Sequence, residues 1–208
     1  MQAESTLRLR RPALAGVALG FCLALAAGCG ASNPPAGAAQ RSSGGLHATL
    51  ETEKGAIEIE LFAEDSPIAV ENFRLLAERG YYNGTVFHRI IRGFMIQGGD
   101  PKGDGTGGES AWGRPFRDEI DRRSALYRGG YVRGIVAMAN AGPNTNASQF
   151  FIMHRNYALP PNYVIFGRVI KGIEVVDALA STPTMKGPYG EMSLPVKKPV
   201  VYKVTISP

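Results

Sequence analysis

From Ile57 to Leu61 the chain reads Ile-Glu-Ile-Glu-Leu, and this alternation constrains the fold more than any other feature. It specifies an extended strand with aliphatic side chains on one face and carboxylates on the other. Such a strand needs neighbours that cover its apolar face. Leu46 to Thr52 precedes it across Glu53-Lys54-Gly55, a hairpin-length turn, and Val200, Tyr202, Val204 and Ile206 alternate again near the end. Two helices are predicted between these strands. Ser66-Pro67 opens the first, with Ser66 as N-cap and Pro67 in the first turn, where its missing N–H is harmless. Ala69, Phe73 and Leu76 share one face, Glu71, Arg74 and Glu78 the other, and Gly80 ends the helix. The second runs from Ile173 to Ala180, with Pro183 just beyond. The 26 glycines and 14 prolines favour short strands and many turns. Pattern alone therefore gives a closed β-sheet or a sandwich with helices plugging its ends.

Both cysteines, Cys22 and Cys29, lie at the front end, so the rest of the chain can hold neither a disulfide framework nor a thiolate metal site. His47, His88 and His154 lack tight ligand spacing. The net charge of +5 overstates the basicity of the folded part, because residues 1–28 carry three arginines against one glutamate. The remaining charges are scattered, with no Lys/Arg run longer than two, and nucleic acid is not an expected partner.

The front end reads as an address. Arg8, Arg10 and Arg11 precede the uncharged stretch Pro12 to Gly28, and Ala26-Ala27-Gly28 places small residues before Cys29. These are the proportions of a secretory signal peptide over residues 1–28. The Gly-Cys junction resembles a bacterial lipoprotein box, in which Cys29 is lipidated and becomes the first mature residue; an ordinary signal peptide or an uncleaved anchor is the alternative. Residues 29–45 then form the lipidated Cys and a flexible tether of Ala, Ser, Asn, Pro, Gly and Gln with one charge, Arg41. The expected location is the extracytoplasmic face of a cell membrane, with the lipid at Cys29 as the anchor.

Two stretches hold more unusual residues than plain strands require. One is Phe87-His88-Arg89-Ile90-Ile91-Arg92-Gly93-Phe94-Met95-Ile96-Gln97-Gly98-Gly99-Asp100. The other runs Met138-Ala139-Asn140-Ala141-Gly142-Pro143-Asn144-Thr145-Asn146-Ala147-Ser148-Gln149-Phe150-Phe151-Ile152. Taken as a strand, Phe87 to Ile91 would put Arg89 on the same face as Phe87 and Ile91. An arginine on an apolar face needs a partner or an open pocket. With Phe94, Met95 and Phe151 nearby, the result is an apolar pocket with one cationic fork and amides from Gln97, Asn140 and Gln149. A proline, which is an apolar ring flanked by carbonyl acceptors, fits it.

Both stretches resemble the signature segments of the cyclophilin family of peptidyl-prolyl cis–trans isomerases, and the resemblance extends over residues 46–208, including Ile165-Phe166-Gly167. It implies a mainly β fold, a closed eight-stranded antiparallel β-barrel capped by two α-helices. It also implies rotation about Xaa-Pro bonds with no metal or cofactor, here by a monomer assisting the folding of exported proteins. By resemblance, Arg89 is the electrostatic catalyst. Phe94, Met95 and Phe151 hold the proline ring, Gln97 and Asn140 hydrogen-bond the substrate backbone, and Ala139 and Gln149 line the adjoining subsite.

The expected chemistry follows from the bond. Rotation about a prolyl imide faces a barrier of about 18–20 kcal/mol because its C–N bond is partly double. Twisting returns a lone pair to the nitrogen, and a guanidinium aimed there favours the twisted state over both planar ones.

Other readings of single residues remain open at this point. Arg89 could pair with Asp100, and Gln97 and Asn140 could satisfy loop backbone. His88 more naturally packs than catalyses. Asp100, Asp104 and Glu109 do not match the spacing of a calcium-binding hand loop. The chain departs from the family at Tyr157-Ala158-Leu159-Pro160-Pro161-Asn162-Tyr163, where many members carry a cyclosporin-binding tryptophan and a histidine at the pocket wall. Leu159 and Tyr163 form that wall here, and weak cyclosporin binding is expected. Two rival functions remain: a non-catalytic module or holdase that grips proline-containing segments, and hydrolysis through Ser148 and a histidine.

Overall fold

The computed structural model describes residues 45–187 and 190–208, so the predicted signal peptide, Cys29 and nearly all of the predicted tether lie outside the described residues. The first hairpin follows the sequence pattern. β1 (His47–Thr52) and β2 (Gly55–Leu61) pair antiparallel from His47↔Glu60 to Thr52↔Gly55. Gly55 takes φ +128°, and the Thr52 hydroxyl donates to its carbonyl at 2.7 Å. Helix α1 (Pro67–Glu78) follows, then β3 (Arg89–Ile91), β4 (Met95–Gly98), the short α2 (Ala125–Gly129), β5 (Ile135–Met138), β6 (Phe150–Met153), β7 (Ile165–Lys171) and α3 (Ile173–Ala180). A separate hairpin of β8 (Thr184–Lys186) and β9 (Met192–Pro195) precedes β10 (Val201–Ser207).

Eight of these strands form one antiparallel sheet in the order β10-β1-β2-β7-β5-β6-β4-β3. Its central strands are buried on both sides, and alternation divides their side chains between two clusters. Ile96, Val136, Met138, Phe150 and Ile152 join the main core with Phe73 and Leu76 of α1 and Val176 and Leu179 of α3. Met95, Ile135, Ala137, Phe151 and Met153 point the other way into a second cluster, which Phe94, Leu159 and Tyr163 edge. The second face carries the site.

The structure corrects several expectations. The sheet curls strongly into a half-barrel but does not close, because β3 and β10 remain edges. Isolated contacts span the seam instead, with a Val86↔Val200 bridge and the Phe87 amide donating to the Pro199 carbonyl at 2.9 Å. Pro199 has no N–H to extend a ladder there. The described residues contain three helices rather than two. In β10, Tyr202 is exposed and Val201 buried, because a register shift pairs Thr52 with Val201 and Glu51 with Lys203. Ser66 precedes α1 as predicted, but its hydroxyl donates to the Ile165 carbonyl at 2.7 Å and caps nothing. The Glu119 carboxylate accepts from the Ile68 and Ala69 amides at 3.0 and 2.9 Å instead.

Candidate active site

Strand register assembles the site. Arg89 pairs with Gln97, and Gln97 with Phe151, so these three side chains stand in one row across β3, β4 and β6. Ala137 of β5 continues the row, and Met95, opposite Ile91 and Met153, lies in the next. Phe87 does not share this face. The three-residue strand begins only at Arg89, and Phe87 and Ile90 both enter the main core. Arg89 is left on the outer face beside Met95, its side chain 30% exposed.

A cavity of about 360 Å³ opens over this row. Arg89, Phe94, Met95, Gln97, Ala139, Asn140, Phe151, Leu159 and Tyr163 line it, joined by Tyr157. Met95 and Phe151 form its buried floor, at 1% and 5% exposure. The Tyr163 ring meets Phe151 edge-on with centroids 5.4 Å apart, and the buried Tyr131 hydroxyl fixes Tyr163 by donating to its carbonyl at 2.8 Å. The Tyr157 ring lies 4.4 Å from that of Phe94 at the rim.

The polar side of the cavity is a chain of hydrogen bonds. Glu191 accepts from Arg89 twice, at Nε (2.7 Å) and at Nη2 (3.1 Å). Nη1 of Arg89 turns toward Gln97 Oε1 at 3.4 Å and Met95 Sδ at 3.8 Å. Gln97 Nε2 donates to Gln149 Oε1 at 2.9 Å, and Gln149 Nε2 donates to the carbonyls of Gly105 and Gly107. Gln149 thus sits one residue behind the lining and orients Gln97. Asn140 Nδ2 donates to the Asn162 carbonyl at 2.9 Å, so part of its amide serves loop backbone.

Asp100 is fully buried and accepts from the amides of Lys102, Asp104 and Gly105, so it holds a loop; the partner of Arg89 is Glu191. The His88 ring is buried, neither of its nitrogens has a hydrogen-bond partner among the described residues, and burial pushes it below the ordinary imidazole range. The buried Ser148 hydroxyl donates to the Gly99 carbonyl at 2.7 Å, which suits packing and not hydrolysis. Sequence reasoning missed Tyr157 and Glu191. Tyr157 lies in a segment already marked as unusual, but Glu191 stands 102 residues from Arg89 with no local signal.

Residues 47–206 match the family model of the cyclophilin type peptidyl-prolyl cis-trans isomerases. Peptidyl-prolyl cis-trans isomerase CYP18-1 of Arabidopsis thaliana is 50% identical over 155 residues, 72% of this chain and 92% of that protein. Human peptidyl-prolyl cis-trans isomerase-like 3 is 48% identical over 145 residues, 69% of this chain and 88% of its own length. A crystal structure of a Cryptosporidium parvum cyclophilin type isomerase superposes with TM-score 0.71 at 40% identity, covering 79% of this chain and 98% of that one. The same parasite protein has been crystallised in the presence of the dipeptide Ala-Pro, with TM-score 0.70, 40% identity and coverage of 78% and 99%. Family model, relatives and fold agree with the arginine-flanked apolar cleft: the chain belongs to the cyclophilin family and is a peptidyl-prolyl cis–trans isomerase.

Proposed function

We propose that this isomerase works at the cell envelope, tethered by a lipid on Cys29, and turns over Xaa-Pro bonds in exported polypeptides with Arg89 as its electrostatic catalyst. The observation that carries the catalytic reading is the Nη1 edge of Arg89, turned toward Met95 on the floor of an apolar cleft. A proline ring seated against Met95, Phe151 and Phe94 brings its imide nitrogen to that edge. The nitrogen of the twisted imide accepts a hydrogen bond that the planar imide cannot, so Arg89 lowers the barrier by differential binding. Gln97, held at both ends of its amide, keeps the arginine edge in place, and Asn140 takes the peptide backbone beyond the proline. The related parasite structure prepared with Ala-Pro supports this class of ligand.

Exchange spectroscopy on a short Xaa-Pro peptide tests the catalytic assignment. Arg89→Ala should lower kcat/KM by about 10²–10³-fold, the effect of removing one well-aimed donor to a developing charge. Equal turnover by wild type and variant removes Arg89 from the mechanism, and equal inertness returns a binding module or holdase. The tether has its own test, palmitate labelling and membrane fractionation in a bacterial host. Cys29→Ala should abolish both label and membrane association; unlabelled, soluble wild type refutes the anchor.

A further inference from the structure

Phe94 sits at the tip of the β3–β4 connection, and its ring is useful only if that turn is fixed. The turn closes through the Phe94 amide, which donates to the Ile91 carbonyl at 2.9 Å, with Gly93 at φ +89°. A positive φ at the third residue is what such a turn requires. This bond leaves the Gly93 amide without a partner inside the turn. The ring of His154 supplies one, since Nδ1 accepts from the Gly93 amide at 2.9 Å.

His154 also holds the far side of Phe94, its backbone amide donating to the Phe94 carbonyl at 2.8 Å. The imidazole is buried just beyond the end of β6, and Nε2 lies 3.2 Å from Oδ1 of Asp177 on α3. Arg133 anchors that carboxylate with two hydrogen bonds, 2.6 and 2.9 Å long. The ring is thus fixed from behind by α3 while its front holds the turn.

We propose that His154 is a positioning residue for isomerisation: its bare Nδ1 holds the Gly93 amide and so keeps Phe94 in place as a wall of the proline pocket. The neutral ring must carry its one proton on Nε2, facing Asp177. A second proton can go only to Nδ1, which then confronts the Gly93 N–H donor to donor, and the turn must give way. The surroundings oppose that proton. Burial does so most, Arg155, Arg133 and Arg92 add to it, and Asp177 favours the charge. The ring is therefore neutral near pH 7 and charges below the ordinary histidine value of about 6.5.

The test follows kcat/KM on an Xaa-Pro peptide by exchange spectroscopy, using the full chain from about pH 7.5 to about pH 4.5, a window bracketing that value. Wild type should lose activity severalfold through an acid limb with its midpoint below about 6.5, mainly through a higher KM. In His154→Asn the side-chain oxygen stands where Nδ1 did and takes up no proton. This variant should match wild type at the upper pH and show no such limb. His154→Leu, without an acceptor, should be severalfold weaker at every pH while its near-ultraviolet dichroism stays native. The proposal is overturned if wild type shows no limb, if the limb survives in His154→Asn, or if folded His154→Leu equals wild type. A limb that survives would point to His88. Should His154→Leu fail to fold, the pH profiles of wild type and His154→Asn decide alone.

Discussion

Arg89 and Glu191 meet through a two-pronged ion pair that leaves the Nη1 edge of the guanidinium turned toward Met95 on the floor of the apolar cleft. Each side chain is about one-third exposed, so the pair adds under about 1 kcal/mol to stability; its importance is geometric. Arg89 holds the Glu191 carboxyl below the usual glutamate range, so the clamp is fully formed at neutral pH and releases only when acid titrates that carboxyl.

With Arg89 in the proposed catalytic role, the clamp should have two opposed effects on catalysis. It draws field away from the substrate, yet it stops the long arginine from swinging. Preorganisation should dominate, because a misaimed donor loses most of its differential effect. Glu191→Ala should therefore lower kcat severalfold with KM little changed, and its melting temperature should fall by no more than a few degrees. Steady-state analysis by peptide exchange checks this, and a faster variant would show that Glu191 acts as a brake.

Glu119 caps α1 from 50 residues away by accepting from two of its first backbone amides. A carboxylate at a helix N-terminus satisfies orphan donors and complements the helix dipole, so Glu119→Ala should cost about 1–2 kcal/mol. Glu119 does not line the proline cleft, so kcat/KM at low temperature should not change. Denaturant unfolding and the peptide assay together check this, and an unchanged midpoint would mean that water serves those amides equally well.

How legible each part was depended on whether its cause was local. The hairpin around Gly55, the buried face of α1 and the α3 helix follow from alternation, helical spacing and glycine or proline stops, and the structure contains each of them. Arg89 and Gln97 could be grouped because they lie within one short stretch, and the resemblance linked that stretch to Phe151. Closure of the barrel was expected from the resemblance. Between β3 and β10, however, the structure has isolated backbone bonds such as Phe87 to Pro199 and Val201 to Thr85 in place of a ladder, and alternation within single strands carries no signal for that. Glu119 and Glu191 carry no local signal, since their partners are 50 and 102 residues away. Tyr202 looked like a core residue until a register shift turned it outward.

Leu159 and Tyr163 complete the wall of the cleft, where the family resemblance would lead one to expect a tryptophan and a histidine. Leucine offers cyclosporin no N–H donor and less flat apolar area than an indole. A lost hydrogen bond costs about 0.5–1.5 kcal/mol, and the aromatic contact adds a comparable amount. Each 1.4 kcal/mol is about tenfold in affinity, so the wild-type chain should be a weak cyclosporin target. Leu159→Trp should tighten inhibition by about tenfold or more while leaving turnover of a short Xaa-Pro peptide nearly unchanged, because the buried floor of Met95 and Phe151 stays as it is. Inhibition of peptide turnover measured across drug concentrations decides the matter. Nanomolar inhibition of the wild-type chain would show that the rest of the cleft grips the drug without an indole at this position.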